Sequence, residues 1–171
     1  MSNAVQTLDG DISIDGVAEA DQYLTFIMAD EEYGVDILRV QEIRGWDSAT
    51  PIPNTPAYIR GVINLRGVIV PLVDLRERFG IATIDYGPTT VVIVLRVEGA
   101  EKERIMGIVV DAVSDVYNVK EGEMKPAPDF GSVGSIDFVR GLVTIDEKMI
   151  ITLEIDQMLS DQEIGVAVGE E

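Results

Sequence analysis

The chain of 171 residues contains neither cysteine nor histidine. Without cysteine it can form no disulfide, no thiolate nucleophile and no cysteine-ligated zinc site. Without histidine it can hold no Ser-His-Asp triad, no histidine general base and no phosphate-accepting histidine. The G-x-G-x-x-G motif and the Gly-Lys pair of a P-loop are also absent. We therefore expect no cofactor, no metal and no catalysis, although 31 acidic side chains leave open an enzyme that works with two carboxylates.

Basic side chains are scarce, because 13 lysines and arginines stand against 31 acids and give a formal charge of −18. Nucleic-acid binding is disfavoured, since a negative field repels phosphates. The acids concentrate at the ends: residues 1–21 hold five acids and no base, and residues 154–171 hold six acids and no base. We predict an acidic, flexible N-terminal segment over residues 1–21 and an acidic tail over residues 161–171.

Long apolar runs are missing as well. No run approaches the roughly 20 residues that a membrane-spanning helix needs. Acids, and not a basic segment with an apolar stretch, follow the first residues of the chain. These features predict a cytoplasmic protein that does not insert into a membrane.

Valine and isoleucine are abundant, with 42 residues between them against 10 leucines. Side chains branched at Cβ favour strands, so the sequence predicts an all-β protein. The predicted strands cover residues 23–29, 33–37, 40–43, 61–65, 68–73, 89–97, 104–110, 113–119, 139–145 and 149–155. Short helical turns are expected after Thr55, over residues 74–79 and over residues 156–159.

The sequence also contains an internal repeat. Residues 34–43 match residues 107–116 at an offset of 73, and residues 58–65 match residues 138–145 at an offset of 80. Two related halves are therefore predicted, over residues 22–80 and 88–160, with about five strands each. Halves of this size bury little surface alone, so we expect them to pack on one another.

Arg66 stands out because it lies at a predicted hairpin turn between two apolar strands. Gly67 beside it permits the positive φ that such a turn needs. The guanidinium either pairs with a carboxylate on a neighbouring strand, for which Glu42 is the obvious candidate, or makes an exposed ion pair of about 0–1 kcal/mol. The sequence leaves both interpretations open.

Three segments carry a resemblance to a known family. They are residues 33–44 (YGVDILRVQEIR), 54–76 (NTPAYIRGVINLRGVIVPLVDLR) and 107–116 (GIVVDAVSDV). They strongly resemble the CheW-like family of bacterial chemotaxis coupling proteins. The resemblance covers residues 22–160 and implies two intertwined five-stranded SH3-like barrels with a few short helices.

The same resemblance implies a function without catalysis. Members of the family are cytoplasmic adaptors that join the cytoplasmic tip of methyl-accepting chemotaxis receptors to the regulatory domain of a CheA-type histidine kinase. They are recruited to membrane-associated arrays, where they alternate in rings with that domain, which has the same fold. We therefore expect a protein that is monomeric in isolation and that controls kinase activity in an array.

The family pattern also suggests which residues bind the receptor or the kinase. Carried over by motif position, they are Val40, Glu42, Gly61, Arg66, Val113 and Val116. Structural interpretations stay open for three of them, since Gly61 could end a turn and Val113 and Val116 could be core. We further expect Glu42 and Arg66 to pair across strands and to hold the shape of the binding groove.

Two other functions remain open at the sequence level. One is a coupler of the same family that serves surface motility or second-messenger control instead of swimming. The other is a carboxylate enzyme, which would need two acids facing one cleft, one of them with a raised pKa.

Overall fold

The computed structural model describes residues 20–99, 102–120, 122–126 and 138–159. Within these residues the chain forms ten strands: β1 (Ala20–Met28), β2 (Glu31–Asp36), β3 (Val40–Gly45), β4 (Ile59–Leu65), β5 (Val68–Asp74), β6 (Val91–Glu98), β7 (Glu103–Val110), β8 (Ala112–Lys120), β9 (Val139–Ile145) and β10 (Lys148–Leu153). Two short helices, α1 (Leu75–Arg78) and α2 (Ile155–Met158), follow β5 and β10, and a 3₁₀ turn over Ile37–Arg39 joins β2 to β3. All ten predicted strands are confirmed, with ends shifted by a few residues.

Two of the three predicted helical turns are present. The Asp74 side chain accepts a hydrogen bond from the Glu77 amide (3.1 Å) and so caps α1. The prediction of a helical turn after Thr55 is wrong. The Thr55 hydroxyl donates back to the Ile52 carbonyl (3.0 Å) and does not cap a following amide, and the chain makes only a turn there before β4.

The strands form two five-stranded sheets. Sheet 1 has the order β3-β6-β7-β5-β4, and sheet 2 has the order β8-β1-β2-β10-β9. Neighbours are antiparallel except for two parallel pairs, β5 with β7 and β2 with β10. Sheet 1 consists of the middle of the chain and sheet 2 of the parts on either side. Each predicted half, 22–80 and 88–160, therefore contributes strands to both sheets, and the expected all-β fold with two intertwined five-stranded units is confirmed.

Three hairpins turn through only two residues each. The turn residues are Ala29-Asp30, Arg66-Gly67 and Asp146-Glu147, and all six have positive φ. This geometry matches the twist of the flanking strands.

The main hydrophobic core lies between the two sheets. It joins β1 and β2 residues of sheet 2 to β6 and β7 residues of sheet 1, together with Leu75 of α1 and Met158 of α2. Four aromatic rings cross it in a row of contacts, with centroids 5.8 to 6.3 Å apart: Phe26, Tyr33, Phe79 and Phe138. Because both units bury their apolar faces in one cluster, they are packed as a single body.

Within the described residues the chain crosses between the sheets twice, and an arginine–carboxylate pair holds each crossing. Arg39, between β2 and β3, donates twice to Asp156 of α2 (3.0 and 2.6 Å). Asp111, between β7 and β8, accepts twice from Arg76 of α1 (3.0 and 2.8 Å). Both pairs, which we call clamps, are bidentate. The connecting segment supplies the arginine at the first crossing and the carboxylate at the second.

Other predictions fall partly outside the described residues. The predicted segment 1–21 lies outside them except for residues 20 and 21, which begin β1, and the tail 161–171 lies wholly outside. The connection between β6 and β7 is a hairpin in which the Gly99 amide donates to the Lys102 carbonyl (3.0 Å). Residues 100 and 101 of that hairpin are not described.

We expect the Arg76–Asp111 clamp to make folding stability sensitive to acid. Burial raises the pKa of Asp111, but hydrogen bonds from Arg76 and from the Ala29 amide outweigh burial and hold this pKa below its usual value. The pKa of an aspartate in the unfolded state is about 4. A carboxyl whose pKa is lower in the folded state stabilises the fold above that pH, and this stability is lost as the pH falls through the folded-state pKa. The wild-type chain should exceed Asp111→Asn by about 1–2 kcal/mol in unfolding free energy at neutral pH.

Urea unfolding followed by circular dichroism at several pH values measures this difference. It should shrink below about pH 4. Asp85→Asn, an exposed acid before β6, is the control and should change little. A deficit of Asp111→Asn that is the same at all pH values would contradict the expectation.

Candidate functional site

The Glu42–Arg66 pair joins the two edges of sheet 1. Glu42 lies in β3 and Arg66 in the β4–β5 turn, and β3 and β4 are the first and last strands in the order of this sheet. Arg66 Nη2 lies 2.5 Å from Glu42 Oε1, and Arg44 Nη1 lies 3.7 Å from the other carboxylate oxygen. The Arg66 side chain is 71% exposed and that of Glu42 is 24% exposed. The expected pair is therefore formed, on the surface and across the gap between two edges.

The turn that carries Arg66 is held by a side chain of its own hairpin. Arg66 has φ 51° and Gly67 has φ 90°. The Gly67 amide donates to the side-chain oxygen of Asn64 (2.8 Å). Asn64 thus fixes the turn from which the guanidinium reaches Glu42, a role that sequence reasoning missed. Its signal was an asparagine three residues before the turn glycine.

Gly61 lies where another stretch of backbone approaches β4. Its φ is 139°, and a Cβ placed on it would lie 2.4 Å from the Thr50 carbonyl oxygen. Thr50 and Val62 exchange two backbone hydrogen bonds of 2.9 Å each. The chain after β3 is therefore paired with β4. Gly61 does not end a turn, as one interpretation of the sequence had it; it lies within β4 and gives room for this contact.

Val40 is the first residue of the edge strand β3, and Val113 is the second residue of the edge strand β8 in the other sheet. Both are partly buried and pack against the core between the sheets. They occupy equivalent positions of the internal repeat. The structure thus brings these two valines to the same core from opposite sheets, and their side chains are in part core residues.

Val116 and Ile43 lie three residues farther along the same two strands. They are 44% and 43% exposed. Sequence reasoning named Val116 but not Ile43, although the repeat aligns them. Each edge strand therefore carries an exposed aliphatic side chain as well as a partly buried valine.

Among the described residues, the ion pair has no counterpart at the equivalent positions of sheet 2. At the repeat offsets of 73 and 80, Asp115 corresponds to Glu42 and Asp146 to Arg66. Two acids repel, so the second unit cannot form the same bond across its edges. The site built by Glu42, Arg66 and Gly61 belongs to sheet 1 alone.

A metal site or a catalytic carboxylate pair needs acids that lie close together. The described residues contain no group of three or more acidic side chains placed to hold a metal ion. The buried acids among them, Asp74 of β5 and Glu32 of β2, lie in different sheets, and each is near a base, Arg60 (3.4 Å) and Lys148 (3.6 Å) respectively. These two acids are therefore not the carboxylate pair that an enzyme would need.

No helix in the described part of the chain has the length and apolar character to span a membrane.

We expect Gly61→Ala to destabilise the fold strongly, because it adds strain at a positive φ and a clash with fixed backbone. The cost should be about 3 kcal/mol of unfolding free energy. Gly67→Ala is the matched control, since Gly67 also has positive φ but nothing lies within 4 Å of its added Cβ. It should cost about 1 kcal/mol. Chemical unfolding of both variants measures the difference, and equal losses would show that the approach of Thr50 does not matter.

Comparison with known proteins places this geometry in a family. The family model described as "CheW-like domain" matches residues 22–163. A "Chemotaxis protein CheW" of Klebsiella aerogenes is 44% identical over 151 residues, which are 88% of this chain and 89% of that protein. A protein of the same name from Rhizobium meliloti is 40% identical over 142 residues, 83% of this chain and 89% of that one.

A solved structure agrees with these relatives. The crystal structure of the scaffolding protein TtCheW from Thermoanaerobacter tengcongensis is similar with a TM-score of 0.72 and 35% identity, over 81% of this chain and 92% of that chain. The two five-stranded sheets, the matched residues 22–163 and this likeness agree, and the chain belongs to the CheW-like domain family.

Proposed function

We propose that this chain is a non-catalytic adaptor that couples methyl-accepting chemotaxis receptors to a CheA-type histidine kinase and thereby controls the kinase. The observation that carries the proposal is the similarity, over most of the chain, to relatives named as chemotaxis proteins. Those names favour a chemotaxis role over a coupler for surface motility or second-messenger control. The similar scaffolding protein supports an adaptor and not an enzyme.

The exposed surface of the edge strands is suited to binding other proteins. Ile43 on β3 and Val116 on β8 are aliphatic and exposed, and each can contact the apolar face of a helix in a receptor hairpin. The exposed Arg66 is held by Glu42 and can offer further donors to a partner carboxylate or carbonyl. We assign receptor and kinase binding to Val40, Glu42, Arg66, Val113 and Val116.

Gly61 belongs to the same proposal in a different role. Its backbone is covered by Thr50, so it supports the binding surface and does not present a side chain to a partner. We propose that the adaptor is cytoplasmic and is recruited to receptor arrays at the membrane. It is monomeric in isolation and forms a ring with the kinase regulatory domain in the array. These statements follow from the family resemblance.

Reconstitution tests the proposal. Autophosphorylation of the cognate kinase is measured with receptor signalling fragments, with and without this chain. We expect kinase activity and its control by receptor ligand to appear only when the chain is present. Arg66→Ala should weaken binding about 5- to 30-fold, the cost of about 1–2 kcal/mol for removing a charged hydrogen-bonding group. Asp146→Ala, at the equivalent turn of sheet 2, is the control and should bind like the wild type. A wild-type chain that neither binds nor changes kinase activity would contradict the proposal.

A double-mutant cycle tests whether Glu42 and Arg66 act as a pair. Binding to the kinase and to the receptor fragment is measured for Glu42→Ala, Arg66→Ala and the double variant. We expect the effects to be non-additive by about 0.5–1 kcal/mol, because either single change breaks the same bond. If the pair holds the shape of the groove, exchanging the two charges should restore binding. Additive losses would show that the residues act separately.

A further inference from the structure

A tyrosine anchors the connection between α1 and β6 to the end of β5. The Tyr86 hydroxyl donates a short hydrogen bond to Asp74 Oδ2 and accepts one from Arg60 Nε (2.9 Å). The Arg60 guanidinium also lies 5.5 Å from the centre of the Tyr86 ring. The hydroxyl thus has a donor and an acceptor, both on sheet 1.

The acceptor is itself fixed. Asp74 is 2% exposed, and its other carboxylate oxygen caps α1 by accepting from the Glu77 amide. Burial, together with the hydrogen bond to Asp74, raises the pKa of Tyr86, and a tyrosine hydroxyl is a protonated donor at neutral pH even without such a shift. Tyr86 is therefore held at a defined place against β5.

The Tyr86 ring in turn contacts Trp46. The ring centroids are 4.6 Å apart with an interplanar angle of 70°, an edge-to-face contact of the favourable kind. The Trp46 amide donates to the Thr90 carbonyl (3.0 Å). Trp46 begins the segment 46–50, which we call the closing segment because its last residue, Thr50, pairs with Val62 over Gly61.

The closing segment borders the candidate surface. It lines one wall of a cavity of about 280 Å³, and Arg44 and Asn64 line the same cavity. Arg44 contacts the Glu42 carboxylate, and Asn64 holds the turn of Arg66. Tyr86 therefore contacts Trp46, and Trp46 borders the same cavity as the neighbours of the ion pair.

We propose that Tyr86 is a positioning residue for partner binding, which acts through Trp46 on the closing segment and touches no partner itself. The role rests on the proposed coupling function. It assigns a function to the connection before β6, which lies outside the surface named from the family pattern. It also explains why the Tyr86 ring lies on Trp46 while its hydroxyl is bonded to β5.

Tyr86→Phe tests this role, because it removes the anchoring hydroxyl and leaves the ring. Trp46 is the chain's one tryptophan, so its fluorescence reports on the closing segment directly. We expect a red shift of the emission and stronger acrylamide quenching in the free variant. We also expect about tenfold weaker binding to the kinase regulatory domain or to the receptor fragment, the size of effect that one charge-assisted hydrogen bond can produce.

Tyr23→Phe is the matched control. It removes a buried tyrosine hydroxyl from sheet 2, and that hydroxyl has no hydrogen-bond partner among the residues described. Its Trp46 fluorescence and its affinities should equal those of the wild type. Circular dichroism of each variant shows whether a change in affinity reflects a loss of fold.

The outcomes separate this inference from the proposed function. Wild-type binding together with unchanged fluorescence and affinity in Tyr86→Phe would overturn the positioning role and leave the coupling function intact. Equal losses in Tyr86→Phe and Tyr23→Phe would overturn it as well, because any lost hydroxyl would then suffice. A wild-type chain that binds neither partner would overturn the coupling function, and with it the assigned role of Tyr86 in binding, whatever the quenching shows.

Discussion

The parallel pairing of β5 with β7, and of β2 with β10, decides how the two halves of the chain are arranged. In the first pair Gly107 lies opposite Leu72, and in the second Gly34 lies opposite Thr152. A Cβ on Gly107 would lie 2.7 Å from a Leu72 methyl carbon, and one on Gly34 would lie 3.3 Å from Ile150 Cγ2. Each copy of the internal repeat begins with one of these two glycines. A glycine is needed there because strands of opposite halves pack closely at that position.

The two units share a backbone plan but differ in the chemistry of their interiors. Sheet 1 encloses an aliphatic cluster of its own, which consists of Leu65, Val70, Leu72, Val92, Val94 and Val109. In sheet 2 the described residues form a cluster of Tyr23, Val119 and Val143, and the threonines Thr25 and Thr152 are buried in the same sheet. The ion pair between Glu42 and Arg66 lies on the unit with the aliphatic cluster, whereas Val113 and Val116 of the candidate surface lie on the other unit.

The sequence predicts the strands well, because runs of β-branched residues separated by short turns depend on local preferences. Exchange of strands between halves depends on contacts far apart in the chain, so the topology entered only through the family resemblance. The helical turn after Thr55 failed because its hydroxyl found a nearer carbonyl. Glu42 was predictable as the partner of Arg66, since few acids lie on neighbouring strands. No local sequence pattern predicts that the backbone of Thr50 approaches Gly61 or that Tyr86 contacts Trp46.

The two contacts between the edges of sheet 1 differ in how easily a partner can disturb them. Thr50 and Val62 exchange two backbone hydrogen bonds over Gly61, and both must break before this contact opens. The Glu42–Arg66 bond is exposed, and such pairs contribute about 0–1 kcal/mol. A partner can therefore exchange the ion pair for contacts of its own at little cost while the backbone bonds between Thr50 and Val62 stay in place. An adaptor needs that combination, because it must change its surface bonds on binding and still hold the geometry that it transmits.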